Sequence, residues 1–219
     1  GAKYLITGTG DAANPPCVGG AFIKSTPEKD IPDIQIHYVS IAMQDVHGRE
    51  GVPLEHGFSN LVYLCRPQSK GHIALKSSDP NDDPLLYPNY FSVEQDLIDT
   101  RNGLREARRV FMQPVFDEYR GKELKPGPDI DIDNNNDLDN WIRETGETLY
   151  HPVGTCKMGI DELAVTNEHG QVHGIQSLRV VDASLMPSLI AGNTNAPTIM
   201  MAEKISDHIN GKSFLSKEN

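Results

Sequence analysis

The run Tyr150-His151-Pro152-Val153-Gly154-Thr155-Cys156-Lys157-Met158-Gly159 sets a histidine beside a proline in a segment too rich in glycine and proline for a helix. Pro152 fixes its own φ and biases His151 toward extended backbone. Gly154 and Gly159 permit positive φ or a close approach of another segment. Such a loop holds one imidazole in a defined place, and imidazole is the side chain best suited to proton transfer near neutral pH. A turn histidine needs no such task, so the rest of the chain must supply the reason.

Two later stretches supply it. Leu178-Arg179-Val180-Val181-Asp182-Ala183-Ser184 reads as a short buried strand ending in an acid and two small residues. Gly192-Asn193-Thr194-Asn195-Ala196-Pro197-Thr198-Ile199-Met200-Met201 then opens a helix, with asparagines able to cap it and Pro197 in its first turn. A strand, a polar crossing and a helix N-terminus suit the binding of a polar or anionic cofactor.

Upstream, residues 1–20 read as a loop-rich entry and Ala21 to Ser25 as a short strand. Ile34 to Ser40 alternates with period two and reads as a strand. His47 to Gly57 is a polar loop. Asn60 to Arg66 and His72 to Ser77 read as a hairpin turning at Pro67 to Gly71, with a further apolar stretch at Leu85 to Pro88. Short connections between alternating strands predict an antiparallel sheet. Ser92 and Gln95 have capping-box spacing, and the helix after them places Leu97, Leu104, Ala107 and Phe111 on one face as far as Pro114. Arg101, Arg105, Arg108 and Arg109 read as paired or solvated surface charges. The acidic loop from Pro126 to Asn136 lacks the glycine and terminal glutamate of a calcium loop, so no metal is expected. Asp137 to Thr145 reads as a helix burying Leu138, Trp141 and Ile142. Met43, Met200 and Met201 read as core, and His72, His169, His173 and His208 as structural or exposed.

The chain has 219 residues, 37% of them hydrophobic, and a net charge of −11, which argues against a nucleic-acid partner. Three cysteines without metal-type spacing point to a reducing compartment. No apolar run is long enough to span a membrane and no signal peptide is evident. A cytoplasmic location is expected, with peripheral membrane association left open for the complete enzyme.

Taken together, His151 to Gly159, Val172 to Pro187 and Gly192 to Thr198 resemble the C-terminal half of glucose–methanol–choline oxidoreductases, nearest the choline dehydrogenase and alcohol dehydrogenase branch. The likeness runs from about Tyr4 to Ile209 and rests on three motifs in order. It implies an α+β fold: an antiparallel sheet covered by helices as the substrate-binding domain, residues 1–145, and a C-terminal strand–helix segment, residues 146–219, returning to a flavin domain. The Gly-x-Gly-x-x-Gly unit that holds FAD in this family is missing, since Gly8-Thr9-Gly10 lacks the third glycine and a clean helix start. The chain is therefore expected to be part of a longer enzyme, inactive alone, with an N-terminal FAD-binding part as its partner.

The resemblance also implies roles. His151 is the base that takes the hydroxyl proton of a primary alcohol as hydride passes to flavin N5, yielding an aldehyde. Asn195 donates a hydrogen bond to the developing alkoxide. Asp182, Ala183, Asn195, Ala196 and Thr198 face the FAD, with the helix N-terminus favouring negative charge there. His37 lies where choline-oxidising relatives carry a histidine near the substrate, although a structural role suits it equally. Two rival readings stay open: an oxidase of the same family passing electrons to O₂, and a non-catalytic binding module. The alcohol, the electron acceptor and the oligomeric state, a homodimer included, are not fixed by these residues.

Overall fold

The period-two run from Ile34 becomes the middle strand of a three-stranded antiparallel sheet. The computed structural model describes residues 2–10, 13, 15, 17–42 and 56–212. Its elements are α1 (Ala2–Thr7), β1 (Cys17–Ile23), β2 (Ile34–Val39), β3 (Ser59–Leu64), β4 (His72–Ala74), β5 (Leu85–Tyr87), α2 (Glu94–Phe111), α3 (Asn135–Thr145) and α4 (Asn195–Ile209). Short 3₁₀ turns lie at Pro114–Phe116 and Ala183–Leu185. This is the expected α+β architecture. Two compact units divide it: Gly1–Leu64 with Val93–Gly146, and Cys65–Ser92 with Glu147–Asn219. Gly146 closes the first unit, and residues 65–92, read from sequence within 1–145, group with the C-terminal unit. Most of the expected loop from His47 to Gly57, Met43, and the residues after Lys212 lie outside the described residues.

In the first unit the strand order is β1-β2-β3, with Ala21 opposite Ile36 and Val62 opposite Ile36 on the other side. Alternation sends Ile34, Ile36 and Tyr38 to one face of β2 and Gln35 and His37 to the other. Ile34 and Ile36 are fully buried and form a core with Ala107 of α2, flanked by Ala21, Ile23, Val62 and Leu64. Full burial of an isoleucine contributes roughly 1.5–3 kcal/mol. Gly103 lets α2 sit this close, since a β-carbon there would meet Ile34 and Val62 methyls at 3.0–3.1 Å. Phe111 extends the core edge-on to Phe58 at 4.6 Å and to Phe116 at 5.3 Å. The four arginines of α2 are paired as expected. Arg101 reaches Asp139 of α3 at 2.6 Å, Arg105 the Ile132 carbonyl and Asn135, Arg108 Glu123, and Arg109 Glu106.

Several local expectations fail for identifiable reasons. The supposed hairpin is absent: β3 pairs with β2, whereas β4 pairs with β5 in a separate two-stranded ribbon. Proximity in sequence misleads here because the chain leaves the first unit after Leu64, so Pro67 to Gly71 does not join two neighbouring strands. Ser92 does not cap α2. Its N-cap is Val93, with no side-chain bond, and Gln95 instead donates to Asp99 Oδ1. α3 starts two residues early because Asn134 accepts from the Asn136 and Asp137 N–H groups, and its Trp141 is only half-buried. The entry is not all loop. Gly8 ends α1, its N–H bonded to the Tyr4 carbonyl and its φ at +65°, and β1 begins at Cys17.

A buried polar cluster closes the turn between β1 and β2. Ser25 donates through N to Asp33 Oδ1 at 2.7 Å, and its one Oγ–H is shared by Asp33 Oδ2 at 2.7 Å and Asp99 Oδ1 at 3.0 Å. Lys29 bridges Asp99 at 2.7 Å and Asp33 at 3.2 Å. Burial alone would raise the Asp33 carboxyl, but the Ser25 and Lys29 hydrogen bonds outweigh it and hold the group below the usual aspartate range. The hydrogen bond to Asp99 raises Lys29. The Asp33 contribution is thus fully present above the ordinary carboxylate range and is lost as pH falls through its depressed folded value. The Lys29 contribution holds below the ordinary lysine value and disappears as pH rises through its raised one. Ser25→Ala removes the hydroxyl donor that two carboxylates share and should cost about 1–3 kcal/mol in urea unfolding at pH 7. Asp33→Asn should flatten the acid limb of the stability curve, and an acid limb as steep as in the wild type would place the titrating carboxylate elsewhere.

Candidate active site

Residues 147–194 contain no strand, yet their backbone groups are bonded in an irregular ladder. The expected strand from Leu178 to Val181 reduces to one bridge, Gln171 with Arg179. Turns at Gly170 and Gly174, with φ of +70° and +75°, keep the segment from extending. Thr166, completely buried, is the centre of the ladder: its carbonyl accepts from the Gly159 N–H and its hydroxyl donates to the Cys156 carbonyl. The Cys156 N–H in turn donates to the Ser184 carbonyl and the Met158 N–H to the Leu185 carbonyl, at 3.1 and 2.9 Å. The histidine motif is thereby fastened to the segment that carries Asp182 and Ala183. Gly154, with φ of +90°, passes within reach of the Met186 carbonyl, where a β-carbon would lie at 3.4 Å.

His151 projects from this loop, preceded by Tyr150 at φ +61°. A tyrosine in that region costs roughly 1–2 kcal/mol and persists only where the surroundings enforce it. Both ring nitrogens are engaged. Nδ1 lies 2.8 Å from Thr194 Oγ1, and Nε2 lies 3.1 Å from Asn193 Nδ2. The structure thus brings the His151 loop together with the polar run before α4. Asn195, exposed, is the first residue of α4, directly after the residue that holds the ring. The expectation that an asparagine caps α4 is not met: the N-cap is Thr194, with no side-chain cap bond, and the first turn has no acid. Among the described residues the Asn195 and Ala196 N–H groups therefore remain without an acceptor, at the positive end of the helix.

The other candidates are placed as follows. Asp182 is exposed and caps its own 3₁₀ turn, Oδ1 accepting from the Ser184 N–H and hydroxyl, while Oδ2 has no partner among the described residues. Ala183, half-buried, follows it in that turn. The Thr198 hydroxyl donates to the Thr194 carbonyl at 2.7 Å. His37 belongs to the first unit. Its Nε2 is shared by Tyr63 Oη at 2.5 Å and Gln35 Nε2 at 3.0 Å, on the face of β2 opposite the core. Lys157 is committed to Asp161, whose carboxyl it holds below the usual range together with the Leu163 N–H. His169 and His208 stack at 3.9 Å, joining the end of α4 to the Gly170 turn, while His72 stacks on Tyr87. Met200 is exposed and Met201 half-buried, so the former is not core. A groove lined by Asn167, Gln171, His173, Ser177 and Arg179 does not include His151.

Sequence reasoning missed Asn193 and Thr194. The signal was present as three consecutive small polar residues, but spacing alone does not say which of them faces the imidazole. Among the described residues no cluster of three or more histidine, cysteine or acidic side chains gathers as metal ligands, and no helix is long and apolar enough to cross a membrane.

Comparison with known proteins bears on the same residues. The family model described as GMC oxidoreductase matches residues 67–202, a span that takes in His151, Asp182 and Asn195. The oxygen-dependent choline dehydrogenase of Pseudomonas fluorescens (strain SBW25) is 47% identical over 217 residues, 99% of this chain and 38% of its own length. The chain thus spans well under half the length of such relatives. Among solved structures, pyridoxine 4-oxidase from Mesorbium loti shares the fold with a TM-score of 0.78, at 24% identity over 89% of this chain and 38% of its own. A formate oxidase from Aspergillus oryzae, in a structure concerned with FAD modification, has a TM-score of 0.76 at 25% identity, over 83% of this chain and 32% of its own. With the family match spanning well over half of the residues, the chain belongs to the GMC oxidoreductase family.

Proposed function

We propose that this chain is the substrate-domain and C-terminal part of an FAD-dependent enzyme that oxidises a primary alcohol, choline or a similar one, to an aldehyde. The observation that carries the reading is the His151 ring, held at both nitrogens beside the uncapped start of α4. In this reading residues 1–145 contribute the substrate domain and residues 146–219 the flavin-contacting segment, completed by an N-terminal FAD-binding part of the same protein. The relatives named choline dehydrogenase support the substrate class.

The residues suit the cofactor. The free N–H groups of Asn195 and Ala196 form a donor pair for a negatively charged carbonyl region, with no acid nearby in the turn to oppose it. Asp182 Oδ2 is available to accept from ribityl hydroxyls, and the Ala183 N–H to donate to phosphate. Thr198, its hydroxyl proton already used, offers only an acceptor. Bound there, the flavin supplies an acceptor for hydride. His151 Nε2 takes the hydroxyl proton, which raises electron density on oxygen and weakens the adjacent C–H bond. The Asn195 amide donates to the developing alkoxide without competing for the proton. His37, oriented by Tyr63 and Gln35, is the substrate-contact candidate of the other unit.

His151→Ala in the full-length enzyme should lower kcat by about 10²–10⁴-fold with flavin content retained. Asn195→Ala should lower it by about 10²-fold. The double variant should fall short of the product of the two, because both groups act on one oxygen. A His151→Ala enzyme with near-wild-type kcat would move the base elsewhere, His37 being next in line. Comparing peroxide release in air with dye reduction under anaerobic conditions decides between an oxidase and a dehydrogenase. Peroxide equimolar with product is the oxidase outcome.

A further inference from the structure

We infer that Thr194 is a positioning residue that holds the His151 ring through its Nδ1–H, with Nε2 left as the acceptor; this rests on the reading of His151 as the base. A neutral imidazole has one donor nitrogen and one acceptor nitrogen. The atom facing Nε2 is the amide nitrogen of Asn193, which can only donate. Nε2 therefore accepts, Nδ1 carries the proton, and Nδ1–H donates to Thr194 Oγ1 at 2.8 Å. Thr194 is 7% exposed, and its carbonyl accepts from both the N–H and the hydroxyl of Thr198. The acceptor is thus built into the first turn of α4.

Two consequences follow. Asn193, whose side chain is exposed, occupies at Nε2 the position that a substrate hydroxyl takes. When that hydroxyl arrives, its O–H bond breaks and an Nε2–H bond forms, while a bound flavin would supply the acceptor for the hydride leaving the carbinol carbon. The ring is then a cation with two N–H groups, and the hydrogen bond to Thr194 strengthens because its donor is charged. Thr194 also ties the ring to the helix that begins with Asn195, so the proton acceptor and the alkoxide donor hold one spacing.

The test uses the full-length protein with ¹⁵N-labelled histidine, alongside Thr194→Val and Thr194→Ser. In the wild type the His151 ring should show protonated Nδ1 and bare Nε2 at a pH where it is neutral. Thr194→Val should leave the Nδ1–H without its acceptor, shift the Nδ1 resonance and lower kcat by about 10- to 100-fold with a smaller change in KM. Thr194→Ser should restore both the spectrum and most of kcat, which separates a missing oxygen from damaged packing. A wild-type ring protonated on Nε2 overturns the inference, as does a Thr194→Val enzyme with unchanged kcat and spectrum. Should His151→Ala keep full activity, the base assignment fails instead. The ¹⁵N spectrum, which needs no turnover, still reports whether Thr194 accepts from the Nδ1–H.

Discussion

A chain segment with no strand and no helix still has to bond its backbone groups, and residues 147–194 do so through the buried Thr166 and the paired runs 156–158 and 184–185. The His151 loop and the Asp182 turn both hang from that ladder. Unbonded buried amides cost more than almost any other local defect, so the ladder has few alternative registers. The His151 loop cannot shift without releasing the Cys156 and Met158 bonds. For the same reason the Asp182 turn is held in place by its carbonyl neighbours rather than by strand pairing. A loop assembled in this way trades regularity for freedom to set individual φ angles, as at Tyr150 and Gly154.

The fold was legible where one element carries its own signal. The Ile34–Ile36–Tyr38 alternation identified the central strand, and the α2 stripe identified the covering helix, because burial imposes periods of two and of 3.6 on the residues themselves. Partner choice carries no such signal. Nothing in Pro67 to Gly71 says that the chain is leaving one unit rather than turning back, so the hairpin reading failed. The strand reading of Leu178 to Val181 failed for a related cause. An apolar run states only that residues seek cover, and here cover comes from turns that close on themselves.

The site was legible to a different degree. Pro152, Gly154 and Gly159 mark His151 as a held imidazole, and the resemblance gives it a role. The hydroxyl that holds it lies 43 residues away and was invisible in the sequence. A contact over such a separation depends on the ladder between, which has no sequence period to reveal it. Asn195 was singled out by motif, and the structure places it as the first residue of the helix expected there. Met200 shows the reverse error: an apolar residue on α4 was taken for core, although it lies on the helix face that this chain leaves open.

The remaining local inconsistencies share one location. α4 begins without a side-chain cap, Tyr150 takes a left-handed backbone, and Asp182 leaves an oxygen facing outward. Each departs from what local stability alone would select, and natural chains concentrate such departures where function needs them. The other end of α4 shows the contrast: Ile205 is buried beside the Gly170 turn, and His208 stacks on His169. A helix anchored firmly at its far end can keep open donors at its start, since the anchoring comes from packing rather than from the cap. Thr194 could cap the Ala196 N–H only by turning its hydroxyl away from His151, a change that would stabilise the helix by about 1 kcal/mol. Its commitment to the imidazole therefore leaves the start of α4 uncapped.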